Sequence, residues 1–105
     1  MSLKDFYRLI KGLGYPLAYH HFEEGRVLSP PYLLYWVSGS ENKGADNMAY
    51  HKQEEVLLEV YTKIKNLDLE GQVEALLDTH RIYFDKVETY LTTEKLYQVT
   101  YHITL

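Results

Sequence analysis

The chain has no cysteine and only three prolines among 105 residues. Without cysteine there can be no disulfide and no thiolate zinc site, and the composition fits a reducing compartment. Long hydrophobic runs are missing too. A bilayer span needs about 20 consecutive apolar residues, and the longest uncharged apolar segment, residues 32–37, has the length of one strand. The first residues lack the basic, apolar and small-residue regions of a secretory signal. Basic charge is scarce: 11 Lys and Arg face 15 Asp and Glu, for a net charge of −4, and each Lys or Arg stands alone. A duplex-binding surface shows a basic stripe, so sequence-specific nucleic-acid binding is not expected. Together these absences point to a cytoplasmic, membrane-free protein whose acidic balance suits protein partners or plain solubility.

What the chain does have is tyrosine, eleven of them. Residues 96–105 alternate strictly, with Tyr97, Val99, Tyr101, Ile103 and Leu105 on one side and a largely polar set on the other. This is the pattern of a half-buried antiparallel strand. Tyrosine suits such a strand and also a surface that another protein covers, since the ring is apolar and the hydroxyl stays wet. A length of 105 residues and a composition 46% hydrophobic and 25% charged predict one soluble domain, residues 1–105.

Residues 2–13 predict a helix with a stripe of Leu3, Phe6, Tyr7, Ile10 and Leu13, capped by Ser2 and ended by Gly12, Gly14 and Pro16. Residues 17–22 predict a short strand, and Pro30 and Pro31 a stiff break before residues 32–37, a strand apolar on both faces. Residues 39–47 (GSENKGADN) read as a long polar loop, mobile on its own. Residues 54–62 alternate as a strand, which is preferred over the helix that their glutamates and leucines also permit because the acids alternate. Asp68 is placed as the cap of a second helix running to about Thr79 with Leu69, Val73, Leu76 and Leu77 inward. Strands over residues 82–90 and 96–105 close the chain. The expected fold is α+β: a mixed, mostly antiparallel sheet flanked by two helices, in the order α-β-β-β-α-β-β.

No constellation for catalysis stands out. His20 and His21, as neighbours on a strand, would point to opposite faces and could not hold one ion together; a metal site would need ligands from elsewhere, such as His51 or Glu55. Glu54, Glu55 and Glu59 are the carboxylates for a general acid and base, but a solvated strand face explains them as well. Asp78, His80 and a serine lack the G-x-S-x-G setting of a nucleophile elbow. The 39–47 segment lacks the P-loop pattern. Tyr83, Tyr90, Tyr97 and Tyr101 could stack bases, yet Asp85, Glu88 and Glu94 lie among them, which favours core packing or a protein interface. The expectation is no enzyme, no cofactor and no metal.

Four stretches carry a resemblance: Ser29-Pro30-Pro31-Tyr32-Leu33-Leu34-Tyr35; Gly44-Ala45-Asp46-Asn47 with Tyr50 after it; Val56-Leu57-Leu58-Glu59-Val60-Tyr61-Thr62-Lys63; and Glu94-Lys95-Leu96-Tyr97-Gln98-Val99-Thr100-Tyr101. In that order, over nearly the full length, the chain resembles the small tail-terminator or tail-completion proteins of long-tailed phages and prophages of Gram-positive bacteria. The resemblance rests on the combination, since none of the stretches is a chemical motif. It implies a ring, typically a hexamer, that caps the finished tail tube in the host cytoplasm, becomes part of the virion tail, stops polymerisation and offers a surface to the head connector. Its partners would be itself, the major tail-tube protein and the head connector protein. Subunit contacts are expected at Tyr32, Tyr35 and Tyr50, with Asn42, Lys43 and Asp46 assigned by their place in the loop. Alternatives are a head-closure or neck protein and, in another class, a small α+β enzyme or ligand-binding module using Glu54, Glu55 and Glu59.

Overall fold

A computed structural model describes residues 1–23, 28–45 and 48–105; for residues 40–53 it describes the backbone alone. The elements follow as α1 (Leu3–Lys11), β1 (Leu17–Tyr19), β2 (Tyr32–Ala45), β3 (Met48–Thr62), α2 (Leu67–Thr79), β4 (Phe84–Leu91) and β5 (Leu96–Thr104). The strands form one sheet in the order β1-β2-β3-β5-β4. Only β1 runs parallel to its neighbour; the other pairings are antiparallel. The fold is therefore α+β with a mixed, mostly antiparallel sheet, as the hydrophobic periods indicate.

One row across the sheet shows how it is organised. Tyr35 on β2 lies opposite Leu58 on β3, Leu58 opposite Tyr101 on β5, and Tyr101 opposite Lys86 on β4. Successive side chains alternate faces, so Leu33, Tyr35, Val56, Leu58, Val60, Val99, Tyr101 and Ile103 share one face. They are buried there with Phe6 and Ile10 of α1 and Leu69, Val73 and Leu77 of α2. α1 lies over the β1–β2 end, its Phe6 and Tyr7 rings 6.3 and 5.8 Å from that of Tyr35. α2 lies over the β4–β5 end, where Tyr101 donates to Glu74 at 2.9 Å. Helix layer and sheet thus make a two-layer domain with the core between them.

Three sequence expectations change. Residues 39–45 belong to β2, paired with β3 from Gly39↔Glu55 to Ala45↔Met48. The expected loop is thus mostly one arm of a long hairpin. The ladder shifts register between Val37 and Gly39, where a bulge forms and Ser38 donates to the Glu55 carbonyl at 3.3 Å. A strand glycine marks such irregularities as readily as it marks a loop. Asp46 and Asn47 lie outside the described residues. Pairing of β3 with β5 begins only at Glu55↔Thr104, so the hairpin runs on past the sheet, and the molecule measures 50 × 31 × 23 Å. The second change is that β1 stops at Tyr19, before the expected residue 22. His20 adopts a left-handed φ of 68° and turns the chain out of the ladder.

The third concerns α2. Its cap is Asn66, whose side chain accepts from the Leu69 N–H at 3.0 Å, and Asp68 sits within the first turn. Ser2 caps α1 as expected, accepting from Asp5 at 3.1 Å. Asn66→Ala should then cost about 1 kcal/mol of unfolding free energy in urea titration. Asp68→Ala should cost less, and the reverse ranking would overturn this assignment of the cap.

Candidate assembly surfaces

The sheet has a second face that neither α1 nor α2 covers. Tyr32, Leu34 and Trp36 from β2, Leu57, Glu59 and Tyr61 from β3, and Leu96, Gln98 and Thr100 from β5 lie on it, each half-buried. Because β1 and β2 are parallel, the chain between them must return along the sheet. The described ends of that connection lie against this face: His20 packs on Trp36 with centroids 5.5 Å apart, and Phe22 on Tyr32 at 5.6 Å. Tyr32 in turn stacks on Tyr61 at 5.0 Å.

A hydrogen-bonded network ties the strands together below these rings. Trp36 Nε1 donates to Glu59 at 3.2 Å, and Gln98 Nε2 donates to the other Glu59 oxygen at 3.1 Å and to the Tyr61 hydroxyl at 2.8 Å. Burial pushes the Tyr61 hydroxyl up to about 12, although the hydrogen bond from Gln98 acts the other way. Glu59 is therefore occupied on both oxygens. Glu55 lies on the same face four residues away, about 13 Å along the strand, and Glu54 points to the opposite face. The three carboxylates of the enzyme reading do not converge.

The expected site residues divide. Tyr35 is buried, 8% exposed, in a cage of the Phe6, Tyr7 and Tyr19 rings. It belongs to the core and only borders an open cleft with Leu3, Lys4 and Tyr7. Tyr32 is half-buried in the aromatic row of the uncovered face. Asn42 and Lys43 are paired with Lys52 and His51 in the hairpin, and Tyr50 lies on β3; their side chains, and all of Asp46, are outside the described residues. The described backbone of the hairpin therefore carries Asn42, Lys43 and Tyr50, apart from Tyr35.

The histidine pair corrects another expectation. Because His20 leaves the strand, the two imidazoles meet, Nδ1 to Nδ1, at 3.3 Å. They do not face opposite sides. Among the described residues no third His, Asp or Glu joins them as a possible metal ligand. Asp78 and His80 end α2 at the surface. Of the four tyrosines considered for base stacking, Tyr101 is in the core, Tyr83 is exposed with its hydroxyl on Asp85, and Tyr90 and Tyr97 pair edge to face at 4.9 Å. They do not form one row.

Sequence reasoning missed the ionic clamp at the β4 edge. Glu70 of α2 is buried, 3% exposed, yet sits between Lys65 and Lys86, each at 2.7 Å. Lys86 also reaches Glu74 at 2.9 Å, and Lys65 also holds Glu88 of β4. Burial alone would raise the Glu70 carboxyl, but the hydrogen bonds and charges of both lysines outweigh it and hold it below its ordinary value. The only sequence signal was a glutamate one position from the buried stripe. No family model matches the chain, and no curated protein sequence matches it as a relative.

The clamp sets a pH window. Glu70 is depressed, so its contribution is present above the ordinary carboxyl value of 4.5 and is lost as pH falls through the folded value. Lys65 and Lys86 are raised, so theirs is present below 10.5 and lost as pH rises through the folded values. Glu70→Gln should reduce stability at neutral pH by roughly 1–3 kcal/mol and flatten the acid limb of a stability–pH curve. An unchanged acid limb in chemical denaturation would show that Glu70 is not its source.

Proposed function

We propose that the chain is a structural subunit of the phage tail-completion type, which assembles as a ring on the end of the tail tube, halts its growth and presents a surface to the head connector. The observation that carries this reading is the asymmetry of the sheet. Its two edges are unlike: β1, three residues long with β2 running on beyond it, and β4, eight residues long. A subunit with two different lateral edges suits head-to-tail contacts, which close into a ring when the rotation between copies divides a full turn. The β2–β3 hairpin extends past both neighbouring strands, which suits a contact along the ring axis, with tube or connector, by the residues Asn42, Lys43, Asp46 and Tyr50. The resemblance of the P-P-Y, G-A-D, E-x-Y-T and closing-hairpin stretches selects the tail among possible ring assemblies. The carboxylates of a small enzyme, Glu54, Glu55 and Glu59, lack the convergence that reading needs.

The test is electron microscopy of particles made with the protein, without it, and with residues 41–53 replaced by Asn-Gly. That replacement leaves Ser40 opposite Glu54 across a two-residue turn, so the domain should fold. Without the protein, tubes should be overlong and headless; with the shortened hairpin, the same defect is expected from a folded subunit. Normal joined tails in the absence of the protein would refute the role in termination.

A further inference from the structure

The two flanks of the domain differ in charge as well as in strand edge, and they lie at the same height. On α1, Lys4, Arg8 and Lys11 recur at helical spacing as one exposed stripe against the single acid Asp5, a net charge of +2. α2 carries four acids and no base over Leu67–Thr79. On the β4 side, Glu70, Glu74, Asp78, Asp85 and Glu88 outnumber Lys65, Arg81 and Lys86, leaving a net charge of −2 after the clamp is counted. The heights match because α1 sits over Tyr35 and α2 over Tyr101, and these two residues share one row of the sheet through Leu58.

Both flanks expose apolar groups: Tyr19 of β1 is 47% exposed. Tyr83, Val87 and Tyr90, on and beside β4, are 75%, 51% and 48% exposed. Among the described residues β4 pairs only with β5, so its outer backbone groups have no ladder. Its charges at Lys86 and Glu88 are bent back onto Glu70, Glu74 and Lys65. Asp85 on the same strand stays exposed and outside these ion pairs. The opposite flank offers an open cleft of about 420 Å³ bounded by Leu3, Lys4, Tyr7 and Tyr35.

We infer that the β4–α2 flank of one copy docks against the β1–α1 flank of the next, with the α1 cations facing the α2 and β4 carboxylates. The choice of a second copy as occupant rests on the ring reading above, and the charge complementarity supplies the geometry: a like flank would repel, so the contact is head to tail. Salt weakens it, because the charges left outside the clamp are exposed.

Carbodiimide cross-linking of the full chain at millimolar concentration tests this. Peptide mapping should find Lys4 or Lys11 joined between copies to Glu74, Asp78 or Asp85, with a yield that falls as salt is raised. Lys4→Glu/Arg8→Glu and Asp78→Lys/Asp85→Lys, each shown to fold by circular dichroism, should separately lower the cross-linked dimer about tenfold. Mixing the two variants should restore it, because a reversed α1 flank then meets a reversed α2–β4 flank. Links between two α1 stripes, no intermolecular links, or no recovery on mixing would each overturn the inference. Head-to-tail links from a protein whose absence leaves tails normal would keep the interface and sink the tail reading. Tail failure without such links would do the opposite.

Discussion

The alternation of Val56, Leu58 and Val60 with Leu57, Glu59 and Tyr61 governs the ladders on both sides of β3. A slip of one residue would send the aliphatic set to the uncovered face and Glu59 under the helices, where an unpaired carboxylate is costly. With β3 held in place, Tyr35 and Tyr101 fall on the same row, and each receives a helix. The paired strands also bring Trp36, Glu59 and Gln98 together on the other face, where both Glu59 oxygens find donors. One strand with two different faces thus produces both the core and the polar–aromatic network behind it.

Two consequences bear on assembly. The sheet ends in edges of unequal length, and the helices over those edges carry opposite charge. The Glu70 clamp fastens α2 to β4 through Lys86 and, by way of Lys65, to Glu88. A buried ion pair contributes little net stability against an apolar alternative, so its value here lies in where it places β4. A domain of this form is polar in the geometric sense, with a different strand edge and a different helix charge on each side.

Much of the fold was legible in the residues. The apolar stripe of α1, the period-two pattern of β5, the Ser2 cap and the element order follow from local spacing, because helix and strand periods differ and each element hides one face. The hairpin was not legible. Residues 39–45 are polar and glycine-containing, and their sequence shows no apolar alternation to mark a strand. Its order comes from backbone pairing with β3, which local composition does not encode. The Asn66 cap was displaced by two residues for a similar reason: Asn66 and Asp68 are both good caps, and the path of the incoming chain chose between them.

The candidate site shows the same division. From the sequence alone came the class of surface, tyrosine-rich and acidic with no clustered chemistry, since residue type and charge are properties of the chain itself. Tertiary structure decided which tyrosines are available. Tyr35 is enclosed by three rings from α1 and β1, whereas Tyr83 and Tyr90 remain open along β4. It also turned His20 toward His21, through a single left-handed residue at the end of β1. The opposed charges of α1 and α2 are written in the sequence. That they stand at one height on opposite flanks is a product of strand register, because register couples residues tens of positions apart that local periodicity cannot relate.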